Sequence, residues 1–79
     1  LRAAAATSEF LAQLAKLLVD SDEGVRSSAA RALGNLGAAA ATPDILALLA
    51  KLLVDSDEGV RSSAAKAIGK LGAAAATPD

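Results

Sequence analysis

Two residues in this 79-residue chain have the spacing of a known catalytic pair. Ser63 and Lys66 fit the S-x-x-K pattern, in which a lysine helps to activate a serine hydroxyl for acyl transfer. A near-copy of the same segment occurs 35 residues earlier, where the corresponding residues are Ser28 and Arg31. Because a guanidinium stays protonated in proteins, Arg31 cannot act as a base. The pattern therefore predicts a solvated helix face, and we expect no catalytic residue.

Two clusters of acidic side chains could supply oxygen ligands for Ca²⁺ or Mg²⁺. They consist of Asp20, Asp22 and Glu23, and of Asp55, Asp57 and Glu58. Neither cluster has the alternating ligands and terminal glutamate of an EF-hand loop. Acidic residues are also favoured at the first turn of a helix, where they cap free N–H groups and complement the helix dipole. We predict helix capping here, and no metal site.

The glycines are predicted to serve packing and helix termination. Residues 69–72, Gly-Lys-Leu-Gly, lack the G-x-x-x-x-G-K-[ST] pattern of a phosphate-binding loop. They fall near the end of a predicted helix, where the dipole has the wrong sign for phosphate. Gly34 and Gly69 lie inside helical patterns, which predicts close approach of a neighbouring backbone. Gly37 and Gly72 follow those patterns and are plausible helix terminators.

Composition excludes several classes of function. The chain has no His, Cys, Met, Trp or Tyr, and Phe10 is its only aromatic residue. Eight basic and nine acidic residues leave a net charge of −1, so no positive surface is predicted for nucleic acid. The longest strongly apolar stretch covers residues 45–54 and contains Lys51, whereas a membrane-spanning helix needs about 20 apolar residues. We predict no cofactor, no nucleic-acid partner and no membrane partner.

The strongest feature of the sequence is an internal repeat of 35 residues. Residues 1–44 and residues 36–79 are identical at 36 of 44 aligned positions. Such near-identity indicates either a recent duplication or an engineered consensus. We favour the engineered consensus, because consensus-sequence repeats are unusually designable.

Each repeat reads as two helices. The first is predicted over 8–19 and again over 43–54, with Thr42 as N-cap and Pro43 at the first helical position. These segments are apolar on most sides, so burial between neighbours is expected. The second helix is predicted from residue 57 or 58 to about Gly72, or onward into the alanine run at 73–76. Its apolar stripe consists of Val60, Ala64, Ala67 or Ile68, and Leu71.

These elements predict an all-α fold, an α-solenoid of two stacked helical hairpins with about four helices. The predicted boundaries are 8–42 for repeat 1 and 43–77 for repeat 2. Residues 1–7 match the end of a preceding second helix, and residues 78–79 match the start of a further repeat. Neither hairpin can bury its apolar faces alone, whereas stacking buries them.

The residues of each unit resemble a HEAT repeat. Residues 52–61 (Leu-Leu-Val-Asp-Ser-Asp-Glu-Gly-Val-Arg) are followed by the pattern A-A-x-A-[LI]-G-x-[LI]-G over 64–72. The closest likeness is to the HEAT-like class of phycobilisome-lyase-related proteins and artificial helical repeat scaffolds. The 35-residue period also leaves an armadillo-like unit as an alternative.

This resemblance implies a structural ladder of aspartate and arginine side chains. In such families the arginine hydrogen-bonds acidic side chains within and between repeats. The matching pairs in this sequence are Asp20 with Arg26 and Asp55 with Arg61. A planar guanidinium suits this role because it can serve two acceptors at once.

Two kinds of protein partner are predicted. In HEAT-like solenoids the second helices line a concave, partner-binding face, which here would carry Ser27, Arg31, Asn35, Ser62, Lys66 and Lys70. Two repeats form only a small core, and at least three are usually needed for stability. We therefore predict a homo-oligomer through the open repeat ends, by head-to-tail stacking or by a two-fold contact.

Overall fold

In a computed structural model, residues 8–75 are described and form two helical hairpins packed against each other. The first hairpin consists of α1, Ser8–Leu17, and α2, Glu23–Leu36. The second consists of α3, Pro43–Leu52, and α4, Glu58–Ala75, and a short 3₁₀ helix, Gly37–Ala40, lies between the hairpins. No strand occurs among these residues, so the predicted all-α fold is confirmed. The segments predicted as remnants of neighbouring repeats, 1–7 and 78–79, lie outside the described residues.

The first helix of each repeat is two residues shorter than predicted. Both α1 and α3 end in a tight turn, in which Leu18 N–H donates to Ala15 O at 3.0 Å and Leu53 N–H donates to Ala50 O at 3.1 Å. Bonds of this i→i−3 type commonly close the last turn of a helix. The valine that follows each turn therefore lies outside the helix and is largely exposed.

Side-chain caps begin three of the four helices. Asp22 Oδ2 accepts from Val25 N–H at 3.0 Å at the start of α2, and Asp57 Oδ2 accepts from Val60 N–H at 3.0 Å at the start of α4. Thr42 Oγ1 accepts from Ile45 N–H at 3.2 Å, with Pro43 at the first helical position of α3. These contacts satisfy N–H groups that the helix itself leaves without acceptors. The acidic clusters thus include the capping residues that the sequence predicted.

The core lies between the hairpins. Its largest fully buried side chains are Leu18, Leu33, Leu49, Val60 and Leu71. No polar or charged side chain is buried among the described residues. The second-helix stripe is confirmed in α4, because Val60, Ala64, Ala67 and Leu71 are all buried. The first helices are less buried than predicted, since each repeat has a neighbour on one side only.

Identical sequences end α2 and α4 differently. Residues 36–40 and 71–75 both read Leu-Gly-Ala-Ala-Ala. Gly37 ends α2 with φ = 67°, a conformation that glycine adopts without strain. Gly72 instead continues α4, which extends to Ala75. The prediction of a helix end at Gly37 is confirmed, whereas α4 takes the longer of its two predicted courses.

The two hairpins form a wedge. The second helices, α2 and α4, pack closely along their length, whereas α1 and α3 make few direct contacts. Between α1 and α3 lies a groove of about 800 Å³ whose lining includes Leu11, Ala15, Ile45 and Leu48. The wedge places α2 and α4 on its narrow, inner side. No described helix combines the length and apolarity required to cross a bilayer.

Candidate interaction surfaces

An arginine–aspartate pair joins the two repeats. Arg26 Nε donates to Asp55 Oδ2 at 2.9 Å, and Arg26 Nη2 donates to Asp55 Oδ1 at 3.0 Å. Both side chains are largely shielded, with 16% of Arg26 and 10% of Asp55 exposed. The parallel, two-bond geometry is the strongest form of this interaction and fixes the register of the two partners. It therefore contributes, with the apolar core, to the register of repeat 2 on repeat 1.

The loops that carry these residues are built alike in both repeats. Asp22 N–H donates to Asp20 Oδ1 and Asp57 N–H donates to Asp55 Oδ1, each at 2.9 Å. Within its own repeat, Arg26 Nη1 donates to the backbone carbonyl of Asp20, and Arg61 Nη1 to that of Asp55, each at 2.7 Å.

The aspartate–arginine ladder predicted from the resemblance therefore has two kinds of contact. Within a repeat, the arginine reaches the carbonyl of the aspartate rather than its carboxylate. The only contact between carboxylate and guanidinium among residues 8–75 joins Arg26 to Asp55, across the repeats. The sequence alone did not predict that Arg26 pairs with Asp55, because this pairing depends on the rotation between the repeats.

The junction lowers the pKa of Asp55 below its ordinary value of 3.8. The main cause is the pair of hydrogen bonds from Arg26, and the Asp57 N–H adds to it. Partial desolvation opposes the shift, while the positive charges of Arg26 and Arg61 support it. The same contact raises the pKa of Arg26. Folding therefore favours the ionised pair.

Asp55→Asn should make the stability of the fold less dependent on pH in acid. A carboxyl whose pKa falls on folding stabilises the native state above its unfolded pKa, and that contribution disappears as the pH falls through the folded pKa. The variant should therefore have a lower urea midpoint than the parent at pH 7, and the difference should shrink as the pH falls below about 4, the pKa of an unperturbed aspartate. Circular dichroism at both pH values measures it, at concentrations where the chain is monomeric.

Asp20→Asn is the matched control for this prediction. Asp20 makes the same loop hydrogen bond as Asp55, but its carboxylate accepts no bond from an arginine within residues 8–75, since Arg26 reaches only its backbone carbonyl. The control therefore reports the loop contribution alone. A difference between Asp55→Asn and the parent that stayed constant from pH 7 to pH 2 would contradict the assignment.

Close backbone packing and a serine pair complete the junction. A Cβ placed on Gly34 would lie 2.9 Å from Ala67 Cα and 3.0 Å from Ala67 Cβ. These short distances confirm the predicted close approach of a neighbouring backbone at Gly34. At Gly69, its counterpart, no atom beyond the helix's own backbone and the chain neighbours lies within 4 Å of the same point, so the close approach predicted there is absent within the single chain. Nearby, the hydroxyls of Ser27 and Ser63 are hydrogen-bonded at 2.6 Å.

Burial reverses between counterpart residues of the two repeats. We call the side of repeat 1 that packs on repeat 2 its leading face, which consists of Leu18, Arg26, Ser27, Ala30, Leu33 and Gly34. Each of these residues is more buried than its counterpart 35 positions later. Leu18 is 0% exposed, for example, whereas Leu53 is 43% exposed. The leading face of repeat 2 is therefore open, and it consists of Leu53, Arg61, Ser62, Ala65, Ile68 and Gly69.

The opposite side shows the reverse pattern. We call the side of repeat 2 that packs on repeat 1 its trailing face, which consists of Ile45, Leu49, Leu52, Val60, Ala67 and Leu71. All of these are buried. Their counterparts in repeat 1 form the open trailing face, namely Phe10, Leu14, Leu17, Val25, Ala32 and Leu36. Phe10 and Leu17 are each 40% exposed. A cleft of about 580 Å³ occupies this open face and is lined in part by Leu14, Leu17, Val25 and Ala32.

The residues predicted for a partner face lie along the inner side, on α2 and α4. Lys70 Nζ donates to Asn35 Oδ1 at 2.8 Å. Arg31, Lys66 and Lys70 line a cleft of about 270 Å³ between the two helices. Ser27 is engaged with Ser63 in the junction, and Ser62 lies on the open leading face. The structure thus divides the six residues between a basic cleft and the stacking surfaces.

The other motifs lie at structural positions. Ser63 of the S-x-x-K pair shares a hydrogen bond with Ser27, and Lys66 is exposed. Within residues 8–75 no three carboxylate, imidazole or thiol side chains are grouped so that they could hold a metal ion. Within the acidic clusters, Asp22 and Asp57 cap helices, and the carboxylates of Asp20 and Asp55 accept backbone N–H bonds within the loops.

Two stacked helical hairpins of nearly identical sequence define an α-helical repeat protein. The sequence profile described as HEAT repeats matches residues 11–79. The match covers most of the chain, which therefore belongs to the HEAT-repeat family. Neither the curated proteins nor the solved structures gave a match. HEAT repeats are typically non-catalytic and commonly mediate protein interactions, so the chain is a helical repeat scaffold or interaction module.

Proposed function

We propose that this chain is an engineered HEAT-repeat building block that associates with copies of itself and has no catalytic activity. The observation that carries the proposal is the reversal of burial between counterpart residues. Surfaces that are buried between the two hairpins recur, nearly unchanged in sequence, as open surfaces on the outer sides of the described hairpins. An open apolar face of this kind favours association, because contact removes its apolar area from water.

An engineered origin is supported by the similarity of the repeats. They are identical at 36 of 44 aligned positions, and the identical residues include both acidic loops. Both copies of the S-x-x-K segment support the absence of catalysis. The first copy has Arg31 in place of lysine, and in the second copy the hydroxyl of Ser63 is hydrogen-bonded to that of Ser27.

Light scattering after gel filtration tests the proposal over a hundredfold dilution. Detection must be by refractive index, because the chain has no Trp or Tyr. We expect a mass above the 7.7 kDa of one chain at the highest concentration, falling toward that value on dilution. A folded species of 7.7 kDa at every concentration would contradict self-association.

A second candidate function is recognition of another protein on the inner side, as in a fragment of a natural HEAT or armadillo solenoid. The observation that favours it is the basic cleft of Arg31, Lys66 and Lys70, which suits an acidic segment. A chain that stayed monomeric throughout the dilution series would make this candidate the better one.

A further inference from the structure

We propose that copies of the chain stack head to tail, with Arg61 of one copy binding Asp20 of the next. The inference rests on the proposed self-association and specifies its geometry. Inside the chain, Arg26 of repeat 1 binds Asp55 of repeat 2. One repeat further on, the arginine is Arg61, and the aspartate it needs is supplied by the first repeat of a second copy, where it is Asp20.

Both residues are already held as they are in the internal pair. Arg61 Nη1 donates to Asp55 O at 2.7 Å, as Arg26 Nη1 does to Asp20 O. Arg61 is exposed, and its Nε and Nη2 donate to no acceptor within residues 8–75. Asp20 Oδ1 accepts from Asp22 N–H, as Asp55 Oδ1 does from Asp57 N–H. Because both groups are held in place, pairing them orders few additional side chains.

The apolar surfaces match in the same register. Gly69 on the open leading face corresponds to Gly34, which closely approaches Ala67. The counterpart of Ala67 is Ala32, which lines the cleft of the open trailing face. A second copy can therefore bring its Ala32 against Gly69, where no other part of the chain comes within 4 Å of a Cβ position.

Charge favours this arrangement over a two-fold contact. In a two-fold contact between leading faces both copies contribute Arg61 and neither contributes Asp20, and between trailing faces both contribute Asp20 and neither contributes Arg61. Like charges held together at an interface are unfavourable. A head-to-tail contact joins opposite charges, and it leaves one leading and one trailing face open on every assembly that has not closed into a ring. Such heterologous contacts propagate unless the rotation between copies closes a ring.

Two half-blocked variants test the geometry. Gly69→Glu places a long side chain on the open leading face, and Ser28→Glu places one on the open trailing face. Both positions are exposed in the single chain, so the fold should persist, which circular dichroism would check. Each variant alone should be monomeric at concentrations where the parent assembles. An equimolar mixture should give a species of twice 7.7 kDa that grows no further.

The outcomes separate this inference from the proposed function. A parent that stays monomeric overturns both. If the parent assembles, but one variant still dimerises alone and the mixture forms no new species, the contact is two-fold. In that case self-association stands and the head-to-tail geometry is wrong.

A double-mutant cycle on the mixed dimer tests the ion pair itself. Arg61→Gln is introduced in the copy that carries Ser28→Glu, and Asp20→Asn in the copy that carries Gly69→Glu. Each change should raise the dissociation constant of the mixed dimer about tenfold, and both together should raise it hardly further. Lys51→Gln, which removes a positive charge on the outer helix, is the control and should have little effect. Additive effects of Arg61→Gln and Asp20→Asn would show that the two residues do not meet.

Discussion

Leu18→Ala should lower the free energy of unfolding by about 2–5 kcal/mol, the range for deleting most of a fully buried leucine. Leu18 is 0% exposed and packs in the core between the hairpins. Its truncation removes apolar contacts and leaves a cavity that the small domain can only partly close. Urea unfolding followed by circular dichroism at 222 nm, at concentrations where the chain is monomeric, measures the effect.

Leu53→Ala is the matched control, because Leu53 occupies the same position in the second repeat. It is 43% exposed, so the same change should cost only about 1 kcal/mol in the single chain. The comparison holds side-chain type and neighbouring sequence nearly constant and varies burial alone. Equal losses for the two variants would mean that the second repeat is covered as fully as the first in the monomer.

Gly34→Ala and Gly69→Ala should change stability in opposite directions. Alanine at either position favours the helix by about 1 kcal/mol over glycine. At Gly34 the new methyl would lie 2.9 Å from the backbone of Ala67, so the two helices must separate. Overpacking of this kind costs about 1–3 kcal/mol, and because the obstructing atom belongs to backbone we expect a net loss of up to about 2 kcal/mol at Gly34. At Gly69 the helix preference acts alone and gives a net gain.

Thermal or urea unfolding of the two single variants, again as monomers, measures this difference. Gly72→Ala is a useful third variant, because Gly72 lies within α4 and a Cβ there would meet no atom within 4 Å. It should stabilise the fold about as much as Gly69→Ala does. A gain in stability for Gly34→Ala would rule out the close contact between α2 and α4 at that point.

The repeat and its local signals made most of the fold predictable. The 35-residue period, the capping residues and the apolar spacing give the number, type and approximate bounds of the helices. The close backbone approach at Gly34 was also predictable. Glycine inside a helix lowers its stability, so its presence there indicates that a neighbouring backbone leaves no room for a side chain. These features depend on residues that are close in sequence, or on a rule that applies to each repeat separately.

The junction was less predictable, because it depends on how one hairpin is rotated against the other. The sequence places Asp20 and Asp55 equally close to their own arginines, and only the packing brings Arg26 to Asp55. The unequal burial of counterparts such as Leu18 and Leu53 has the same origin. Identical residues differ in environment because one repeat has a neighbour on its leading side and the other has none.

The two conformations of Leu-Gly-Ala-Ala-Ala make the end of helix α4 sensitive to its neighbours. In residues 36–40 this pentapeptide turns at Gly37 and buries Ala40 beside the second hairpin, whereas in residues 71–75 it stays helical. The sequence of the pentapeptide alone therefore does not choose between the two forms.

If a third repeat were joined to the chain in the manner of the second, residues 72–75 would have to unwind by about one helical turn. Elongation of the array would then include a helix-to-turn transition. Each added repeat would change the conformation at the C-terminal end of the repeat before it. The conformation at the free end of such an array would then differ from the conformation of the same residues inside it.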